Sequence, residues 1–253
     1  MKTDAWLQVE ALDVVAAAHQ PALARKLSLR LLPGDRLGVI GRNGTGKSTL
    51  LRQLAGLLPL AGQSAAVSLA GQSLRELAPE KLAVLRTLMP AQPRDRFNLS
   101  ALALLELSQP EPDLPAAMEA LRRVDAWVLR DRPVLALSAG ERQRVALAQA
   151  LVQNASLLLL DEPVAFQDPG HQSLVGDLLA GLTERVVVFC AHDVNWVARF
   201  GTHVLGLGSK ENAQGWFFDT CEAALEPERL QHLYGCRWTH LRDASGHRAW
   251  MAL

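Results

Sequence analysis

Long apolar runs are missing from this sequence. No stretch in its 253 residues approaches the roughly eighteen consecutive apolar residues of a membrane-spanning helix. The beginning, MKTDAWLQVE, also lacks the basic flank and apolar core of an export signal. The chain is therefore expected to be neither exported nor membrane-spanning on its own. Net charge is missing too: 26 Lys plus Arg balance 26 Asp plus Glu, so no overall field argues for a nucleic-acid partner, although local basic patches stay open. Cysteine is scarce. Cys190, Cys221 and Cys236 are too few and too widely spaced for a disulfide framework or a zinc pattern, and they read as reduced core or surface thiols in a cytosol. Repeats, low-complexity tracts and long linkers are absent. What is there, 49% hydrophobic and 21% charged residues, is the composition of a soluble globular chain long enough to bury a full core, as one large domain or two small ones.

Periodicity then gives an order of elements. Residues 6 to 15 (WLQVEALDVV) and 27 to 32 (LSLRLL) alternate like antiparallel strands, and Pro33-Gly34-Asp35 makes a turn. RLGVIG (36 to 41) is a third strand. It runs into a glycine-rich loop and a helix carrying Leu50, Leu51, Leu54 and Leu57 at helical spacing. From about 98 to 135 the pattern is helical, with Leu114, Met118, Leu121 and Val124 predicted on one apolar face. After 138 strands and helices alternate again. LLLLD (157 to 161), RVVVFCA (185 to 191) and HVLGLG (203 to 208) are continuous apolar runs suited to parallel strands covered on both faces. The expectation is an α/β core, preceded by an antiparallel piece and interrupted by a helical insert.

The sharpest chemical signal is GRNGTGKS: Gly41, Arg42, Asn43, Gly44, Thr45, Gly46, Lys47 and Ser48, followed by Thr49. It matches G-x-x-x-x-G-K-[ST] between a predicted strand and a predicted helix, the context that separates a phosphate loop from an accidental glycine-rich turn. The glycines let successive backbone N–H groups face a phosphate, Lys47 brings a point charge to the β- and γ-phosphates, and the Ser48 hydroxyl suits Mg²⁺. LLLLDEP supplies the second signal. A carboxylate at the C-terminal end of a parallel strand faces the ligand crevice, so Asp161 suits the Mg²⁺ shell and Glu162 can orient or deprotonate a water. Taken alone, that pair is equally an ordinary acidic strand end.

LSAGERQRVALAQAL, some twenty residues before LLLLDEP and about ninety after the phosphate loop, resembles the signature region of the ATP-binding-cassette family, whose motif runs LSGGQ or close to it. The resemblance covers nearly the whole chain. It implies an α/β P-loop NTPase of the ABC ATPase type, with an antiparallel β subdomain and an inserted helical subdomain. As a single domain it would comprise a core over about 1–97 and 138–253 and helices over about 98–137. It implies ATP and Mg²⁺ as cofactors, and a head-to-tail homodimer in which Ser138, Ala139, Gly140 and Glu141 of one subunit close over the nucleotide held by the other. A helix tip with free N–H groups is a ready anion site, while the same SAGE reads locally as an N-cap with its capping acid.

The same resemblance implies roles for three more residues. Gln92, in LMPAQ, would touch Mg²⁺ or water and sense the transport partner. His192, in VVFCAHD, would be the switch that hydrogen-bonds the γ-phosphate. Asp168, in AFQDP, would belong to the loop that crosses the dimer. Departures are visible: Ala139 replaces the usual glycine, Ala165-Phe166-Gln167 replace the usual small residues, and DVVAAAHQPALAR has no aromatic to stack on adenine, His19 being the nearest planar side chain.

Chromosome-organising relatives insert long coiled coils, translation-associated ones carry two cassettes, and exporters usually fuse a membrane domain. The resemblance therefore narrows to a stand-alone importer subunit. AGQSLRELAPEKLAVLRTLMPAQ and the ending LQHLYGCRWTHLRDASGHRAWMAL look most like the ATPases of vitamin B12, haem and iron-siderophore importers. That implies transmembrane permease subunits, a periplasmic substrate-binding protein, no nucleic acid, and a peripheral place on the cytoplasmic face of the inner membrane. The loop PAQPRDRFNLS, with Arg94, Arg96 and Phe97, suits a docking rim for such a permease. The alternatives are the ATPase of another transport system, or a soluble cassette ATPase or scaffold without a transport role.

Overall fold

The computed structural model describes residues 6–15, 21–93, 97–209, 212–242 and 248–253. The chain opens with an antiparallel pair, β1 (Leu7–Val14) and β2 (Ala24–Leu31), followed by β3 (Arg36–Ile40) and α1 (Lys47–Leu54). Next come β4 (Ala66–Leu69), β5 (Gln72–Ser73), α2 (Pro79–Leu85) and β6 (Arg86–Met89). The helical stretch holds α3 (Ala101–Leu107) and α4 (Leu114–Arg123), then α5 (Ala139–Val152). Alternation resumes with β7 (Leu157–Asp161), α6 (Pro169–Ala180), β8 (Val186–Cys190), α7 (Val194–Phe200) and β9 (His203–Leu207). The chain ends through β10 (Trp216–Thr220), α8 (Cys221–Ala224), α9 (Pro227–Tyr234) and a hairpin of β11 (Trp238–Arg242) with β12 (Arg248–Ala252).

Two sheets carry the molecule. The larger runs β10-β9-β3-β8-β7-β6, parallel except for the antiparallel edge strand β10. Its inner strands β7 and β8 are buried at every position, which is why they read as unbroken apolar runs. The smaller sheet, β2-β1-β4-β5, is antiparallel, and its strands alternate as expected of one covered face. One apolar cluster joins Leu7, Val9 and Leu12 of β1 to Leu50, Leu51 and Leu54 of α1 and to one face of the large sheet. A second joins α3, α4 and α5 to the opposite face through Leu158, Leu160 and Phe189. The phosphate loop therefore leaves β3 between two packed layers, on a base that cannot drift.

Two expectations are corrected. Leu57 lies beyond α1 and is exposed, because the chain turns at Gly56 (φ +70°), where Leu57 N–H bonds back to Arg52 O. In α4 the buried stripe is Ala117, Ala120, Leu121 and Val124, while Leu114 is exposed and Met118 only half-buried. Asp113 caps the helix and Pro115 occupies its first turn, so Leu114 sits at the rim. The close approach of α4 to α5 favours the small alanines over Met118. Six strands escaped the periodicity: β6 and β10, four and five residues long at opposite edges of the large sheet, and the short β4, β5, β11 and β12.

Candidate functional site

The loop from Gly41 to Gly46 is held by local geometry. Gly41 has φ +146°, and a Cβ there would collide with the Leu207 carbonyl. Gly46 has φ +96°, and a Cβ would press within 2.8 Å of Val14 Cγ1. Both positions need glycine. The Thr45 hydroxyl donates to Arg42 O at 2.9 Å, closing the turn. No side chain caps α1, so its first N–H groups face the loop with the positive end of the helix behind them. Lys47, 7% exposed, donates to Gly41 O at 2.8 Å and Arg42 O at 3.2 Å. Burial pushes its pKa down, against the opposing pull of Cys190, Glu162 and Asp161.

Below the loop, a cavity of about 610 Å³ is lined by Ser48, Arg52, Gln92, Asp161, Glu162 and Phe166. Four residues singled out in the sequence meet here from three places in the chain: Ser48 from α1, Gln92 from the loop after β6, and Asp161 and Glu162 from the end of β7. Asp161 ends β7 and pairs in register with Cys190 of β8. The next residue, Glu162, adopts φ +54°, uncommon for a residue with a side chain. That turn aims its carboxylate out of the strand line, and Oε1 lies 2.8 Å from His192 Nε2. His192 sits two residues past β8, so the parallel pairing of β7 and β8 delivers acid and imidazole to the same edge. Among the described residues no cluster of three His, Cys, Asp or Glu side chains forms a metal cage. The oxygen donors of Ser48, Gln92 and Asp161 fit Mg²⁺, which takes few protein ligands and completes its shell with water and phosphate.

The residues at the tip of α5 do not line this cavity. Ser138 Oγ accepts from Glu141 N–H at 3.3 Å, and Glu141 Oε2 accepts from Ser138 N–H at 2.8 Å, a complete capping box. Hydrogen bonds from Ser138, with the charge of Arg132 2.6 Å away, hold the Glu141 carboxyl below its ordinary pKa. Ser138 and Ala139 are exposed. Asp168 caps α6 and binds His171 Nδ1 at 2.7 Å, and His171 Nε2 reaches Asp125 of the helical stretch at 3.1 Å. The same contacts hold the Asp168 carboxyl below its usual range.

Several residues near the site carried no motif. Gln143, on the buried face of α5, donates to Glu162 O at 2.7 Å. Phe166, at φ +61° and largely exposed, forms part of the cavity wall. Tyr234 and Trp238, with Cys236, bound a hollow of about 460 Å³ shared with Gly41, Arg42, Asn43 and His192. Aromatic side chains thus reach the phosphate loop from the C-terminal segment. His19, Arg94 and Arg96 lie outside the described residues, while Phe97 is 73% exposed.

This arrangement has counterparts. The sequence model of the ABC transporter family matches residues 24–165, which span phosphate loop, signature helix and acidic strand end. The chain belongs to the ABC transporter family. Similar to this ABC ATPase is a hemin import ATP-binding protein of Pseudomonas putida, 35% identical over 242 residues, or 90% of this chain and 92% of the relative. A manganese transport ATP-binding protein of Bacillus subtilis is 32% identical over 253 residues, 95% of this chain and 98% of the relative. A chain of a metal-chelate type ABC transporter, solved in an inward-facing conformation, superposes with a TM-score of 0.80 at 25% identity over 99% of this chain and 98% of that one. The likeness to these ATPases therefore extends past the family motifs to the C-terminal segment. Among the described residues of this ABC ATPase, no helix is long and apolar enough to cross a membrane.

Proposed function

We propose that this ABC ATPase hydrolyses Mg²⁺-ATP as the motor of an importer for cobalamin or a related iron chelate, siderophore or haem. It works as a head-to-tail homodimer, docked peripherally on a separate permease at the cytoplasmic face of the inner membrane and served by a periplasmic substrate-binding protein. The observation that carries the reading is the meeting of Ser48, Gln92, Asp161 and Glu162 around one cavity beneath the phosphate loop. The hemin and metal-chelate relatives support the cargo class.

The residues divide the work by chemistry. Backbone N–H groups of residues 44–49 and the Lys47 ammonium bind the phosphates, and Lys47 gives up its two carbonyl partners to do so. Mg²⁺ held by Ser48, Asp161 and Gln92 would neutralise phosphate charge when bound. Glu162 accepts the proton of the attacking water. His192, now hydrogen-bonded to Glu162, turns to the γ-phosphate and leaves the carboxylate free to meet that water. Ser138 and Gly140 of the second subunit complete the phosphate cradle, and Asp168 lies in the loop between the two sites. Closure and release of the two copies swing the helices of about 98–137 about Gln92 and move whatever is docked there.

Glu162→Gln tests the chemistry. The variant is expected to bind ATP, to hydrolyse it ~10²–10⁴-fold more slowly, and to elute as an ATP-dependent dimer. A variant that stays monomeric with ATP and hydrolyses at the wild-type rate rejects both the base and the dimer cycle.

A further inference from the structure

We infer that Gln143 is a positioning residue: its side-chain amide fixes the turn that presents Glu162, and it ties the signature end of α5 to the chain's own catalytic loop. This rests on the reading of Glu162 as the base. Gln143 is 1% exposed, on the helix face that otherwise buries Ala146, Leu147 and Ala150. A carboxamide at an apolar helix–sheet junction costs free energy unless it is hydrogen-bonded, and an apolar side chain would fill the space. Its partner is specific. Nε2 donates to the backbone carbonyl of Glu162 at 2.7 Å, and that residue is held at φ +54°. Such a backbone is sparsely populated and persists only where its surroundings over-determine it. Glu162 N–H bonds Cys190 O at 3.2 Å, and Glu162 O also takes Ala165 N–H at 3.1 Å. Gln143 is thus the support that reaches the turn from outside the β7–β8 edge and its own loop. Rotating that peptide would move the Glu162 carboxylate off His192.

Two neighbouring ties make the connection stiff. Gln167 Nε2 donates to Gly140 O at 2.8 Å, and Arg144 Nη1 donates to Gln167 Oε1 at 3.3 Å. Gly140 lies so close to the loop that a Cβ there would stand 2.7 Å from Phe166 O. The first turns of α5 and the loop after Glu162 therefore shift together. In a head-to-tail dimer the tip of α5 touches the partner's nucleotide, so displacement of Ser138 reaches Glu162 of the same chain through Gln143.

Gln143→Met keeps length and volume and removes the donor. Expected is a kcat roughly 10–100-fold lower, with the KM for ATP within about twofold and the melting temperature nearly unchanged, the pattern of a loss confined to the chemical step. In a Glu162→Gln background the same change should alter the residual rate by less than about twofold, because Gln143 acts through Glu162. A wild-type kcat in Gln143→Met, or a full multiplicative loss in the double variant, overturns the inference while leaving the base assignment intact. A wild-type rate in Glu162→Gln overturns both. If Gln143→Met fails to fold, Gln167→Met cuts the adjacent tie from the loop side. It should lower kcat severalfold at constant KM, and an unchanged kcat there rejects the coupling.

Discussion

Replacing Ser138 by arginine separates what the tip of α5 does for its own fold from what it does for a second copy. Losing the hydroxyl that accepts from Glu141 N–H removes an N-cap worth about 1 kcal/mol. A cation at the positive end of the helix adds roughly 0.5 kcal/mol more. The sum, near 1.5 kcal/mol, lowers the melting temperature of a chain this size by about 3–6 °C, so Ser138→Arg folds. Its nucleotide affinity should be unchanged, since Lys47 and the phosphate loop lie elsewhere. Hydrolysis should fall at least ~10–150-fold, the worth of one lost hydrogen bond to a charged group. Lys47→Met fails for the opposite reason, at its own phosphates. Mixing the two inactive proteins decides between cis and trans action. Random pairing makes about half the dimers mixed, each with one site built from the intact Lys47 of one copy and the intact Ser138 of the other, so about a quarter of wild-type turnover should return. Phosphate release is the assay, with differently tagged subunits co-purified to show that mixed dimers are present. Activity no higher than the sum of the parents, with mixed dimers demonstrated, would refute the trans assignment of Ser138.

Two further expectations concern stability. The Glu141 carboxyl is held below its ordinary pKa by the Ser138 bonds and Arg132, so its contribution is fully present above the unfolded value near 4.5 and is lost as pH falls through the lower folded value. After discounting for solvent, the gap between wild type and Glu141→Gln should be a few tenths of a kcal/mol at pH 7 and should close on acidification; a gap that widens in acid contradicts the sign. Gly176→Ala in α6 would gain about 1 kcal/mol of helix propensity, yet the new methyl would fall on the Phe200 ring. Because Phe200 is pinned against Trp196, overpacking of ~1–3 kcal/mol should outweigh the gain, and a raised melting temperature would show that the ring yields.

What the sequence reveals about this molecule follows the range of the interactions. The phosphate loop is legible because strand, turn and helix are consecutive and the positive φ of Gly41 and Gly46 belongs to the local turn, while the contacts with Leu207 and Val14 that also exclude a Cβ there are long-range. The cap at Ser138 is legible because donor and acceptor lie three residues apart, a spacing that the Asp168 cap of α6 shares. Gln143 is not legible. Its partner lies nineteen residues away, and in a row of helix formers a glutamine has no marker beyond standing on the apolar face. Tyr234 and Trp238 are hidden for the same reason, since they meet Arg42 only through the packing of the C-terminal segment. The phase of the α4 face is not fixed by the sequence because apolar spacing allows more than one stripe, and the contact with α5 selects the one with alanines.

The two roles read for Ser138 are chemically compatible, and the geometry says why. A serine hydroxyl has one proton and two lone pairs. The capping box needs Oγ as an acceptor, from Glu141 N–H, which consumes a lone pair; the O–H leans on the Glu141 carboxyl and can turn from it to donate to a phosphate. Glu141 meanwhile covers Ser138 N–H, while Ala139 and Gly140 contribute the next two N–H groups of an exposed tip. An anion arriving at α5 therefore competes with neither of the two backbone bonds of the capping box. Alanine at 138 would remove both functions, whereas aspartate would keep the cap and repel a phosphate. Capping strength and hydrolysis should accordingly part company in Ser138→Asp: near-native melting with hydrolysis lost. Native hydrolysis alongside native melting would mean that the serine serves the helix alone.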